Sequence, residues 1–223
     1  LTVGGGIRSV EDINKLLNWK LMKRFAVLVS GNGTNLQAII NAVKKGEIKA
    51  ELALVVSNRR KAHALKRAKD AGIKTVFVNR KDYATPQSYD RAINIHLKEE
   101  KIDFVVLAGY MKILTPFLVK QYPHKIINIH PSLLPSFKGA HGIKDTFTYG
   151  CKVAGATVHF VDEKMDHGPI ILQEAFKLRE RETLESLTKR VHEAEYKILP
   201  KALKLFAEDK LKVSGRKVKI LEK

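Results

Sequence analysis

Short, unbroken apolar runs alternate with helical patterns along this chain, and this alternation restricts its possible folds. Residues 25–29, 52–56 and 104–108 consist only of aliphatic residues and Phe. A strand without a polar face must be covered on both sides, as parallel strands are when helices connect them. Apolar residues recur at helical spacing over 36–43, and residues 62–71 predict a second, basic helix. We therefore predict an α/β fold: an open, mostly parallel sheet with helices on both faces.

The C-terminal half of the chain follows a different pattern. Residues 154–161 alternate between small, polar and apolar types, which predicts a half-exposed strand, and residues 169–175 predict its neighbour. We expect a long amphipathic helix over 183–207, kinked at Pro200. A basic hairpin is expected over 213–221. These elements predict an antiparallel extension of the sheet.

The first 21 residues do not share this organisation. Their glycine-rich stretch at 4–6 resembles a loop of the imidazole glycerol phosphate synthase cyclase barrel, but no barrel follows to support it. We interpret residues 1–21 as an appended segment and residues 22–223 as one catalytic domain.

Charge and composition narrow the class of partner. The chain has 41 basic and 23 acidic residues, a net charge of +18 that suits nucleic acid, small anionic substrates or a Lys-rich solvated surface. Because the basic residues are spread along the whole chain, we favour small anions or solubility over nucleic acid. No apolar run reaches the roughly 18 residues of a membrane span. The lone Cys151 and the missing signal-peptide pattern lead us to expect a cytoplasmic protein.

Asn128 and His130 form the most informative polar pair. Residues two apart in a strand point to the same side, and Pro131 ends the strand after an extended His130. Open α/β sheets bind ligands at such strand ends. The pair could stabilise negative charge on an oxygen, and Asp166 in a later Gly-Pro turn is a further candidate residue. The alternative is that the pair only braces a loop and that Asp166 is an ordinary turn residue.

Residues 30–35, Ser-Gly-Asn-Gly-Thr-Asn, join the first strand to the first helix. Glycines let the backbone approach a ligand, and the free N–H groups of a helix start favour an anion such as phosphate. The stretch is neither a Walker A motif nor a GxGxxG motif, and alone it could be a plain turn. No Cys/His cluster has the spacing of metal ligands, so we expect no metal.

Four blocks of sequence resemble the phosphoribosylglycinamide formyltransferases, a folate-dependent family. They are residues 27–37, 106–114, 127–135 and 158–171, within a similarity that runs from Met22 to about Val218. The resemblance implies formyl transfer from 10-formyltetrahydrofolate to the glycine amine of glycinamide ribonucleotide, in de novo purine biosynthesis. It implies small-molecule substrates, no metal and a monomer or homodimer.

The resemblance also assigns roles to residues. Asn128, His130 and Asp166 would be catalytic, and the loop 162–166 would close over the pterin. The glycinamide ribonucleotide would contact Gly33, Thr34, Asn35 and Glu195. The folate would contact Met111, Lys112, Ile113, Leu114 and Asn128. The family often has Arg where this chain has Lys112, and another family Arg falls at Pro86, so the family's folate tail contacts do not carry over to these two positions.

Three alternatives remain open from the sequence. Formyltetrahydrofolate deformylase uses water as the acceptor and carries a regulatory domain, for which the 21 residues before Met22 are too few. Methionyl-tRNA formyltransferase would suit the positive charge but needs a further C-terminal domain. A non-enzymatic anion- or RNA-binding α/β domain would leave the Asn128, His130 and Asp166 combination without a role.

Overall fold

The computed structural model describes residues 22–222, and within that range the chain forms nine strands and six α-helices. The strands are β1 (Lys23–Val29), β2 (Ala50–Ser57), β3 (Lys74–Phe77), β4 (Phe104–Leu107), β5 (Ile126–His130), β6 (Val153–Phe160), β7 (Ile170–Lys177), β8 (Leu211–Ser214) and β9 (Lys217–Ile220). The helices are α1 (Thr34–Lys44), α2 (His63–Asp70), α3 (Pro86–Glu99), α4 (Pro116–Gln121), α5 (Gly142–Tyr149) and α6 (Leu184–Ala207).

Seven strands form one sheet in the order β3-β2-β1-β4-β5-β6-β7. The first five strands pair in parallel, and β6 and β7 extend the sheet in antiparallel fashion. Strands β8 and β9 form a separate hairpin. The open, mostly parallel sheet with an antiparallel extension that the sequence predicts is therefore confirmed.

Strand β1 shows why the apolar runs are unbroken. Phe25, Val27 and Val29 face a core formed with α1, α2 and α6, whereas Ala26 and Leu28 face a second core formed with α3 and α4. All five side chains are fully buried. Each face of the strand removes apolar surface from water, so neither face can be polar.

Strand β6 differs from the prediction of a half-exposed strand. Residues 154–160 are all buried, because β6 lies between β5 and β7 and packs against α6. Its polar residues have buried partners: the Thr157 hydroxyl donates to the Ser132 carbonyl oxygen at 2.7 Å. The alternating pattern therefore marks internal hydrogen bonding rather than contact with solvent.

The C-terminal elements form where the sequence predicts them. Helix α6 continues through Pro200 without interruption, and the hairpin turns at Gly215, whose φ is +57°.

The segment 1–21, interpreted from its sequence as an appendage, lies outside the described residues. In the described part of the chain, no helix is both long and apolar enough to cross a membrane.

Candidate active site

A cleft of about 700 Å³ opens at the carboxyl ends of the central parallel strands. The strand order reverses between β1 and β4, and open α/β sheets bind ligands at such a reversal. Its lining residues come mainly from segments 31–35, 107–114, 128–131 and 161–166. The four sequence blocks that carry the family resemblance therefore all contribute to the lining of this one cleft.

Asn128, His130 and Asp166 lie together in this cleft. Strand β5 carries the first two residues, and the loop between β6 and β7 brings Asp166 to them. The Asp166 Oδ2 atom is 3.4 Å from His130 Nδ1, and Asp166 Oδ1 is 3.5 Å from Asn128 Nδ2. An amide, an imidazole and a carboxylate thus share one small region that is largely shielded from solvent.

The His130 ring is held by the backbone. Its Nε2 atom donates to the carbonyl oxygen of Phe137 at 2.8 Å, because a carbonyl can only accept. The Nδ1 atom consequently faces the Asp166 carboxylate. In the charged imidazolium form, His130 would also carry a proton on Nδ1, directed at this carboxylate and into the cleft.

His159 fixes the orientation of the Asn128 amide. Strand pairing sets the two residues opposite each other. The His159 Nδ1 atom donates to the Phe160 carbonyl at 2.8 Å, so Nε2 is free to accept from Asn128 Nδ2 at 3.1 Å. Burial lowers the pKa of His159 and outweighs the opposing effects of the Phe160 carbonyl and of Asp166, which favours this neutral form. From sequence, His159 is expected only as support near the site.

The Asp166 loop has an unusual backbone. Asp166 itself has a φ of +46°, a left-handed conformation uncommon for a residue with a side chain. Its Oδ2 atom accepts a hydrogen bond from the Gly139 N–H at 2.8 Å. A Cβ at Gly168 would lie 1.8 Å from the Phe160 carbonyl oxygen, so only glycine allows the loop to lie this close to β6.

The predicted phosphate loop opens helix α1. Gly33, at the N-cap, has a φ of +75°, and a Cβ there would lie 2.6 Å from the Ala64 Cβ. No side chain of the described residues caps this helix, so its first N–H groups, from Thr34 onward, are free to bind an anion. The Ser30 hydroxyl accepts from the Met111 N–H at 2.8 Å and joins this loop to the next wall of the cleft.

Glu195 and Asn35 form a buried polar pair beside this loop. Glu195 Oε2 accepts from Asn35 Nδ2 at 3.0 Å and from His192 Nδ1 at 2.8 Å. The bond from His192 raises the pKa of that imidazole, although burial opposes the shift. The Asn35 Oδ1 atom is buried without a partner among the described residues, on a residue that lines the cleft. His192 is not predicted as a site residue, and its only sequence signal is its position one helical turn before Glu195.

The third wall of the cleft consists of Met111, Lys112, Ile113 and Leu114. Met111 and Ile113 are 56% and 74% exposed, so the wall presents apolar surface, while Leu114 is buried. Lys112 is exposed at the same wall. Pro86 is the other position at which this chain departs from the family pattern. It is the first residue of helix α3 and directly follows the Thr85 N-cap.

Helix α3 holds both ends of this wall. The Tyr89 and Tyr110 hydroxyls lie 2.7 Å apart, and Asp90 Oδ2 accepts from the Thr115 N–H at 2.6 Å and from its hydroxyl at 2.7 Å. Burial raises the pKa of Asp90 despite these two bonds. Sequence reasoning did not find this support, because nothing in the helical pattern separates Asp90 from a surface residue.

No cluster of three or more His, Cys, Asp or Glu side chains suited to a metal ion occurs within residues 22–222.

Comparison with known proteins gives the site its family context. The profile of the formyl transferase family matches residues 23–203. The phosphoribosylglycinamide formyltransferase of Haemophilus influenzae is 43% identical over 192 residues, which cover 86% of this chain and 91% of that protein. The trifunctional purine biosynthetic protein adenosine-3 of Gallus gallus is 46% identical over 190 residues. This chain spans 19% of that longer protein.

Solved structures agree with the sequence matches. Glycinamide ribonucleotide transformylase 1 from Symbiobacterium toebii superposes with a TM-score of 0.88 at 42% identity, covering 90% of this chain and 95% of that chain. The phosphoribosylglycinamide formyltransferase from Anaplasma phagocytophilum superposes with a TM-score of 0.83 at 40% identity. The chain therefore belongs to the formyl transferase family and, within it, to the phosphoribosylglycinamide formyltransferases.

Proposed function

We propose that this chain transfers the formyl group of 10-formyltetrahydrofolate to the glycine amine of glycinamide ribonucleotide, by direct attack without a covalent enzyme intermediate. The strongest support is the meeting of Asn128, His130 and Asp166 at one strand end. A neutral donor, an imidazole and a carboxylate are the groups that such a transfer requires.

Asn128 and His130 stabilise the oxygen of the formyl group. Attack by the amine forms a C–N bond and leaves negative charge on that oxygen. One Asn128 N–H is committed to His159, whereas the other only approaches Asp166 at 3.5 Å and can turn to the substrate. The second donor is His130 Nδ1–H of the imidazolium, because Nε2 is bound to Phe137.

Asp166 serves the proton transfer. The attacking amine must lose a proton, and the N10 nitrogen of the leaving tetrahydrofolate must gain one as its bond to the formyl carbon breaks. Asp166 lies close enough to His130 to pass this proton through the imidazole or through a water held by its carboxylate. The carbonyl then re-forms on the new amide.

The cleft also suits the two substrates at its ends. A phosphate would bind the free N–H groups that begin helix α1, and Asn35 and Glu195, which line the cleft nearby, would contact the ribose hydroxyls or the amide. The flat rings of a folate would cover the exposed apolar side chains of Met111 and Ile113. Lys112, at the open rim, would attract the folate glutamate carboxylates as a point charge.

An acceptor assay tests this function. Purified protein is given 10-formyltetrahydrofolate with glycinamide ribonucleotide, with water alone or with charged initiator tRNA, and tetrahydrofolate release is followed by absorbance. We expect release that depends on glycinamide ribonucleotide, together with formation of its N-formyl product. Release with water alone at the same rate would instead identify a deformylase, and transfer to the tRNA alone would identify a tRNA formyltransferase. Salt-dependent tRNA binding without any release would favour a non-enzymatic domain.

A further inference from the structure

The tip of the C-terminal hairpin reaches the loop that carries Asp166. Arg216 follows Gly215 in the turn between β8 and β9, and its guanidinium donates to the His167 carbonyl oxygen at 2.7 Å. The other guanidinium nitrogen, Nη1, lies 3.1 Å from His167 Nε2 and 3.3 Å from His167 Nδ1, so it contacts both nitrogens of the ring. The hairpin therefore contacts both the backbone and the ring of the residue next to Asp166.

Within the loop 162–168, the Asp162 carboxylate makes two further hydrogen bonds, one of them to the His167 ring. Asp162 Oδ2 lies 2.6 Å from His167 Nδ1, and Asp162 Oδ1 accepts from the Lys164 N–H at 3.0 Å. With Nδ1–H donating to Asp162, the His167 Nε2 atom can accept from Arg216. Burial acts against ionisation of Asp162, but His167, the Lys164 N–H and the charge of Arg216 together lower the pKa of this carboxyl. Arg216, His167 and Asp162 thus span the loop on both sides of Asp166.

The hairpin is anchored well enough to act as a support. Leu211, Val213 and Val218 pack against the main core, and β9 contacts the edge strand β7. The Leu221 N–H donates to the Lys210 carbonyl at 2.8 Å and closes the base of the hairpin. By contrast, Asp166 sits in a left-handed conformation that needs its surroundings to hold it. The profile of the family matches only residues 23–203, so the hairpin lies beyond the matched region.

We propose that Arg216 is a positioning residue, through which the C-terminal hairpin holds the 162–168 loop so that Asp166 faces His130. The inference rests on the proposed function, because the proposed function gives Asp166 a role in the proton transfer. It concerns a contact outside the cleft, and Arg216 is not among the residues that line the cleft.

Arg216→Ala tests this role, with Arg216→Lys and Lys217→Ala as matched variants. Lys217 is the next residue, the first of β9, and is also exposed. For Arg216→Ala we expect kcat to fall about fivefold to thirtyfold, the effect of losing one or two hydrogen bonds, with little change in KM for glycinamide ribonucleotide. Arg216→Lys should recover part of the rate, because a lysine can still donate to the His167 carbonyl. Lys217→Ala should match the parent protein.

Amide hydrogen exchange of the unliganded protein gives a second readout that does not depend on catalysis. We expect faster exchange confined to 162–168 in Arg216→Ala, with an unchanged unfolding midpoint. If the parent protein fails to transfer formyl groups, the proposed function fails, yet the exchange result still tests the contact. Unchanged loop exchange, or faster exchange across the whole chain together with a lower midpoint, would overturn the positioning role.

Discussion

At the scale of single residues, the direction of each hydrogen bond decides what a side chain can do. In the proposed reaction Asn128 offers an N–H to the substrate, which requires its amide nitrogen, and not its oxygen, to lie on the side of His159 and Asp166. His159 enforces that orientation by accepting from it with a neutral ring. A protonated His159 would present a donor at the same position and would repel the amide N–H.

His192 allows a prediction about stability and pH. The hydrogen bond with Glu195 raises the pKa of His192 above its ordinary value of 6.5. A raised pKa in the folded state means that the pair stabilises the fold fully below pH 6.5 and less as pH rises through the raised value. The neutral side chain of His192→Gln can still donate to Glu195, but without this pH dependence. We expect the variant to be less stable by about 0.5 to 1 kcal/mol at low pH, the range for a partly exposed pair.

Chemical denaturation of both proteins at several pH values between 5.5 and 9 measures this difference. It should be largest below pH 6.5 and should shrink toward the alkaline end. A difference in unfolding free energy that is constant, or that grows with pH, would contradict an ion pair between His192 and Glu195.

At the scale of elements, two neighbouring residues of helix α3 determine the shape of the third wall of the cleft, residues 111–114. Tyr89 and Asp90 bind Tyr110 and Thr115, so they fix both ends of the segment 111–114. Residues 111–113 of this segment are exposed, and an exposed segment would change its conformation readily without fixed ends. The proposed folate site therefore depends on the contacts that helix α3 makes with Tyr110 and Thr115.

Substitution of Thr115 tests the link between α3 and the wall. Thr115→Val removes the hydroxyl donor to the buried Asp90 carboxylate, which should lower the free energy of unfolding by about 1 to 3 kcal/mol. It should also raise KM for the folate more than KM for the nucleotide. Thr115→Ser keeps the hydroxyl and serves as the control. Equal stability and equal folate KM in the two variants would show that the hydroxyl does not hold the wall.

The elements themselves could be predicted well where their apolar pattern has a single explanation. The runs at 25–29 and 104–108 can only be strands buried on both faces, and they are. The alternation over 154–161 has two explanations, solvent contact or internal hydrogen bonds, and only the arrangement of neighbouring strands decides between them. Thr157 and His159 have internal partners, so the expectation of exposure is wrong.

At the scale of the whole molecule, the site depends on contacts between residues far apart in the sequence. Strand spacing alone predicts that Asn128 and His130 lie side by side. Asp166 joins them in the prediction only through the resemblance, because one Asp in a turn carries little information. Arg216 could not be predicted at all, since its contact with His167 depends on how the terminal hairpin docks on the core.

The most direct test of the account is single-turnover formyl transfer by Asn128→Ala, His130→Ala and Asp166→Asn, each compared with the parent protein at saturating substrates. Loss of one donor to a developing oxyanion typically costs about 10² to 10³ in rate, so we predict losses of that size for Asn128→Ala and His130→Ala, and most of the activity lost in Asp166→Asn. Circular dichroism and thermal unfolding should show that all three variants fold normally. Near-normal rates in all three folded variants would contradict the central claim that this cluster carries the reaction.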